Sequence, residues 1–378
     1  MQSFSEPFDP FLETIYIQSS SSNTIIGYRS GLKHFEKFVE QNHQCSVQDL
    51  VTSLKNGKYD QYKILNDFVV SLVKRGLKPK SVKLYISAVK GYLRYCGIKI
   101  YSEDFKQVVK LPRPRRHREE PLTKELIVRL LRNVPPRLQT VILVLVASGM
   151  RIGELVLLKI SDVDFSSKPT RIRIRAEITK TRESRDTFLT EEATNSLKDY
   201  LRRFCGWNEG ETNQTIMGKL IFAPPTQKKK KEGKKSHTYE QIAQGVLRRT
   251  MRFHIGKIPE LNKINENGTY MFHFHSFRKF FYTTVSDICG QSFAHALMGH
   301  HDYLDTYYNL PEQKRREMYL KAEPYLTISD FEKIEKNLNV ISERQNKIEE
   351  DYVTVMQLLR NNSLQVPKSL EKHLEKKT

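Results

Sequence analysis

The sequence predicts a mainly α protein with a small antiparallel β-sheet: an all-α N-terminal domain, an α+β second domain and a C-terminal helical extension. Three observations carry this. Apolar residues recur at helical spacing through most of the chain. One short stretch, residues 171–176, alternates charged and apolar side chains instead. A heptad pattern then occupies residues 331–359. With 378 residues the chain has room for two domains.

Residues 1–19 read as a flexible arm, and the serine run that follows as its continuation or as a helix N-cap region. Three apolar stripes come next: Ile25, Tyr28, Leu32, Phe35 and Val39; Ile64, Leu65, Phe68 and Leu72; and Val82, Tyr85, Ile86, Val89 and Leu93. Gly76 and Pro79 separate the last two as a C-cap and a breaker would. These stripes define a helical domain over 20–105 whose outer faces carry Lys80, Lys83 and other cations.

Residues 106–118 hold six lysines or arginines and no acid, and two prolines keep the middle extended. This basic linker suits a phosphate backbone through Lys110, Arg113, Arg115, Arg116 and Arg118; an ordinary solvated hinge is the alternative. The second domain spans 119–328. Two buried helices precede Gly149, a strand covers 171–176, a polar turn covers 181–184 and DTFL returns as the next strand. Helices follow at 190–204 and 239–253, with a lysine-rich loop at 226–235 between them.

The heptad segment, 329–360, has Phe331, Leu338, Tyr352 and Leu359 on one seam and Ile334, Ile341, Ile348 and Val355 on the other, with Gln345 as the one polar seam position. It reads either as an intersubunit coiled coil or as an amphipathic helix folding back on its own domain. A polar tail, 361–378, closes the chain.

A net charge of +20 and a pI of about 9.6 point to a polyanionic partner, with nucleic acid first. Four scattered cysteines without a CxxC pair suggest neither a disulfide framework nor a zinc site. The longest apolar run, Val141 to Ala147, is too short to cross a bilayer, so no membrane partner is expected and the chain reads as soluble and cytoplasmic.

Four stretches carry chemistry. In ASGMRIGEL, Arg151 opens a helix with Glu154 one turn on, placed to hold the guanidinium fork. In ITKTRESR, Lys180 stands where the strand enters its turn and could donate a proton to a leaving alkoxide. In HFHSFRKF, His275 and Arg278 share a helix face. In LMGHHDYLDTYYNLP, His300 follows a Met-Gly turn and precedes a tyrosine pair. Two arginines, two histidines, a lysine and a tyrosine suit a pentacoordinate phosphate ringed by cationic donors, with no metal or cofactor required.

The order and content of these stretches resemble the tyrosine recombinase (phage integrase) family. ASGMRIGELVLLKISDVDF is similar to its Arg-box, HSFRKFFYTT and LMGHHDYLDTYY to its second box, and residues 20–105 to its SAM-like core-binding domain. The resemblance implies that Arg151 and Arg278 clamp the scissile phosphate and that His275 binds it and assists proton transfer. It further implies that Lys180 is the general acid, that His300 hydrogen-bonds phosphate or tyrosine, and that Tyr308 attacks, with Tyr307 the alternative nucleophile. Lys279 and Phe277 depart from the usual residues at their positions, and the His300-to-tyrosine interval is short. The spacing of Leu304, Asp305 and Pro311 resembles archaeal mobile-element integrases. The implied function is site-specific strand exchange by a homotetramer on double-stranded DNA bearing a recombination site. Type IB topoisomerase-like relaxation and a catalytically silent architectural protein are the alternatives.

Overall fold

The computed structural model describes residues 7–113, 120–223, 239–265, 270–299 and 310–329. The chain forms two compact units, Met1–His117 and Arg118–Thr378. Among the described residues no helix is long and apolar enough to cross a membrane.

The first unit is all helix: α1 (Asp9–Ser19), α2 (Ser22–His43), α3 (Val47–Lys55), α4 (Gln61–Lys74), α5 (Pro79–Tyr95) and α6 (Ser102–Val108). The three apolar stripes become the inner faces of α2, α4 and α5, where Leu32, Phe35, Leu65, Phe68, Val82 and Val89 are buried. Ser21 caps α2 by accepting the Thr24 N–H, and Pro79 opens α5, where its missing N–H costs nothing. Helices α2 and α5 cross closely at Gly31, where a Cβ would lie 2.8 Å from Tyr85 Cα.

Two expectations are corrected in this unit. Most of the arm expected over 1–19 is α1, because Phe8, Phe11 and Leu12 fall at i, i+3 and i+4 and bury against the core, the two phenylalanines edge-on to Tyr92. The linker expected from 106 begins inside α6. Val109 is buried, and the Lys110 N–H donates to Asn66 Oδ1 at 3.2 Å, so the chain leaves this unit only beyond Lys110.

The second unit is helical with one small sheet. Its elements are α7 (Lys124–Arg132), α8 (Pro136–Ser148), α9 (Ile152–Val156), β1 (Val163–Asp164), β2 (Thr170–Ile174), β3 (Arg185–Leu189), α10 (Glu191–Cys205), α11 (Gln214–Met217), α12 (Tyr239–Ile255), α13 (Phe274–Cys289), α14 (Gln291–Met298) and α15 (Glu312–Leu326). The strands run antiparallel in the order β1-β2-β3, with Ile172 opposite Thr187 and Ile174 opposite Arg185. Helix α8 is buried almost all round and forms the centre of the larger core. A smaller core joins Phe188, Phe281, Phe293 and Tyr319, and the Tyr319 hydroxyl donates to the Ala147 carbonyl at 2.8 Å.

The fold class is thus the one the sequence predicts for the described residues, mainly α with a small antiparallel sheet. The lysine-rich loop and the heptad segment lie outside the described residues.

Candidate active site

The site is built where α8 ends. Gly149 takes a left-handed φ of +61°, and a Cβ there would lie 2.2 Å from Phe281, so glycine alone lets the chain turn sharply into Met150 and Arg151. Arg151 then enters α9. Its backbone N–H donates to Glu154 Oε2 at 2.8 Å and its guanidinium donates to Oε1 at 3.0 Å. The Arg151 side chain keeps 27% of its surface exposed, whereas Glu154 keeps 2%.

A carboxylate so deeply buried needs more than one partner, and the second is Arg185 at the start of β3. Arg185 donates to Oε2 at 2.6 Å and to Oε1 at 3.2 Å, a two-pronged contact, and its Nε donates to the Leu297 carbonyl at 3.0 Å. Burial pushes the Glu154 carboxyl up, but the hydrogen bonds and charge of Arg185, then those of Arg151, outweigh it and hold the pKa below the usual value.

Arg278 comes from the first turns of α13. It is 2% exposed and donates to the Gly149 carbonyl at 2.5 Å and the Met298 carbonyl at 2.8 Å, while its Nε has no partner. Burial first, then the Arg151 charge, push its pKa down to about 9, with Glu154 opposing. It remains charged at neutral pH.

One turn earlier on the same face, the His275 ring opens to solvent. Its pKa is lowered by partial desolvation first and then by the charges of Arg278, His273 and Arg151, so the ring is neutral at pH 7 and can accept a proton. Two guanidiniums therefore hold one carboxylate, a third lies within range of its charge, and the excess positive charge lies beside a neutral imidazole.

The structure brings Arg151, Glu154, His275 and Arg278 together. Lys180 is placed differently from the expectation that it stands where the strand enters its turn. Strand β2 ends at Ile174, because Arg175 leaves the ladder to pair with buried Asp162 at 2.9 Å and to donate to the Leu157 carbonyl. A short 3-10 turn, Ala176–Ile178, follows, and Lys180 sits exposed in the connection to β3. Among the described residues it makes no hydrogen bond or ion pair to the arginine cluster. His300, Tyr307 and Tyr308 lie outside the described residues, as do Arg115, Arg116 and Arg118. Lys80, Lys83, Lys110 and Arg113 are all exposed on or just beyond the helical unit.

Sequence reasoning missed Arg185. Glu154, set among apolar residues and provided with one arginine, was the available signal, since a buried acid calls for further cations.

A mostly helical unit thus gathers arginines and a histidine around the end of a buried helix, and a separate helical unit precedes it in the chain. Residues 120–310 match the phage integrase family, and residues 8–96 match the phage integrase N-terminal SAM-like domain. The chain belongs to the phage integrase family. It is 24% identical over 202 residues to the tyrosine recombinase XerA of Pyrococcus furiosus, covering 53% of this chain and 62% of that relative. The chain thus spans less than two thirds of that relative's length. Its fold is similar to that of a lambda integrase dimer bound to a COC' core site, at 16% identity and a TM-score of 0.53, over 81% of this chain and 78% of the other. A lambda integrase tetramer bound to a Holliday junction matches at 15% identity and a TM-score of 0.50, over 81% and 79%.

Proposed function

We propose that this chain is a site-specific DNA recombinase that breaks and rejoins strands through a 3′-phosphotyrosyl intermediate. One observation carries the reading: the guanidiniums of Arg151 and Arg185 share a single buried carboxylate and the charge of nearby Arg278 adds to theirs, leaving surplus positive charge beside the neutral ring of His275. Such an arrangement suits a phosphate whose non-bridging oxygens gain charge in a pentacoordinate transition state, because donors fixed beforehand need no reorganisation as the charge develops. Family membership and the fold shared with an integrase that binds core sites and Holliday junctions support it.

In this reading Arg151 and Arg278 neutralise the phosphate oxygens. The Tyr308 hydroxyl attacks phosphorus with Tyr307 as the alternative, His275 takes up the phenolic proton, and the P–O bond to the 5′ oxygen breaks. Lys180 supplies that oxygen's proton, and His300 holds the phosphate. A 5′ hydroxyl from a second strand reverses the step, so no external energy source enters. Lys80, Lys83, Lys110, Arg113, Arg115, Arg116 and Arg118 contact backbone phosphates, and four subunits assemble on a specific site in double-stranded DNA near the nucleoid.

A pool of nicked suicide duplexes tests this. The full chain should form a covalent DNA adduct in the presence of EDTA, and Tyr308→Phe should abolish it while leaving binding intact. An undiminished adduct in that variant removes Tyr308 from the role, and loss of the adduct in Tyr307→Phe would reassign it. Sequencing the trapped strand reads the site.

A further inference from the structure

We propose that Arg185 is a positioning residue of the strand-cleavage centre, acting through Glu154 on the guanidinium of Arg151; this rests on the recombinase reading above. All three of its contact points are internal. Two nitrogens meet the two oxygens of Glu154, and Nε meets the carbonyl of Leu297, one residue from the end of α14. Its Nε and both Nη atoms are all engaged by these contacts, whereas Arg278 keeps its Nε unpartnered. Arg151 is the opposite case: one nitrogen rests on Glu154 and 27% of the side chain remains open.

The geometry of the carboxylate explains the link. Glu154 Oε2 accepts from the Arg151 backbone and from Arg185, while Oε1 accepts from both guanidiniums. With Arg185 holding both oxygens, the carboxylate plane is fixed, and the Arg151 fork is aimed by the oxygen it shares. Without Arg185, Glu154 is free to rotate toward Arg151 and neutralise it. The charge that should face phosphate would then be taken up by a closer carboxylate.

Arg185 also joins three parts of the chain. Its strand begins at the end of the connection that carries Lys180, Thr187 on the same strand donates to the Ser148 carbonyl at 2.8 Å, and Leu297 precedes the Met298 carbonyl that Arg278 uses. Gly299 is packed against it so tightly that a Cβ would lie 2.9 Å from Arg185 Cδ. Strand β3, α9 and the α14 end are thus referenced to one guanidinium, and the α8 end is tied to the same strand through Thr187. A lysine keeps the charge but cannot span two carboxylate oxygens and a carbonyl at once.

The test is covalent adduct formation by the full chain on a suicide duplex, with an ordinary phosphodiester or a neutral methylphosphonate at the scissile position. Arg185→Gln should slow adduct formation by about 100-fold at saturating DNA with affinity unchanged. Arg185→Lys, which preserves the local charge and hence the fold, should still be slower by about 10-fold. On the methylphosphonate, which has no anionic oxygens to clamp, both effects should shrink several-fold relative to the unsubstituted protein. In a Glu154→Gln background, adding Arg185→Gln should cost little more, because the two act in series. Equal effects on both linkages, or fully additive effects with Glu154→Gln, would show a merely structural role and overturn the proposal. An adduct undiminished in both Arg185 variants overturns it too. If the unsubstituted protein forms no adduct on either linkage, the recombinase reading itself falls, and this role with it.

Discussion

Among the described residues of the helical unit, no serine, threonine, aspartate, glutamate, lysine or arginine side chain is buried. The second unit buries Glu154, Asp162 and Arg278 together with nine serine and threonine hydroxyls. Both units contain large apolar cores, so the contrast is not one of hydrophobic content. The helical unit keeps its cations outside, on surfaces such as the Lys80–Lys83 face of α5. The second unit draws arginines inward and compensates them with one carboxylate. Exposed cations can meet any phosphate that passes. Buried, doubly held ones are fixed in advance for one phosphate position, although their charge must first be desolvated. The first arrangement suits affinity and the second suits chemistry.

The sharpest way to break this contrast is Glu154→Ala. Removing the carboxylate leaves Arg185 and Arg278 buried with like charges for neighbours, and removing one partner from a buried ion pair costs roughly 3–5 kcal/mol. Denaturant melts should show the second unit destabilised by that much while the helical unit unfolds as before, and cleavage should vanish. Acid should mimic the change. The folded pKa of Glu154 lies below 4.5, so its contribution is complete above about 4.5 and is lost as pH falls through the lower folded value. If Glu154→Ala leaves the second unit as stable as before, the buried charges are not what holds it together.

How much of this was legible in the sequence follows from the range of the interactions involved. The buried helix α8 and the turn at Gly149 rest on local pattern and were readable, as were the inner faces of α2, α4 and α5. The pairing of Arg151 with Glu154 spans three residues and was also readable. Arg185 was not, because its partner lies 31 residues away and nothing in TRESRD distinguishes one arginine from the next. Nor was the exit of Arg175 from the β2 ladder, which depends on Asp162 being buried beneath it. Helix α1 escaped notice for a different reason. Its stripe of Phe8, Phe11 and Leu12 is short and abuts a serine run, which masks an otherwise regular spacing.

A smaller effect sharpens the other side of the contrast. If the helical unit contributes exposed cations alone, Lys80→Gln with Lys83→Gln should leave its stability unchanged, since neither side chain is buried. Duplex affinity should become less sensitive to salt. The log–log slope should flatten by about 0.9 for each phosphate that is no longer neutralised, so by up to roughly 1.8 for the pair. Cleavage at saturating DNA should be untouched. A fall in melting temperature instead would mean that these lysines serve the fold.

The smallest effect tests whether the inward arginines act on a neighbour at all. His275 has its pKa lowered from 6.5 by partial desolvation and then by Arg278, His273 and Arg151, in that order. A depressed histidine favours the fold above its unfolded value and loses that contribution as pH falls through its folded one. Adduct formation should therefore rise with pH along an acidic limb centred below 6.5 and level off once the ring is neutral. Arg151→Gln removes one positive charge from the set, so the His275 titration, followed by NMR of its ring protons, should move upward toward 6.5. The shift should be smaller than the one Arg278→Gln produces, because Arg278 ranks ahead of Arg151 among the causes. A midpoint that stays put in both variants would assign the depression to desolvation and His273. The arginine cluster would then have no part in keeping His275 ready to take a proton.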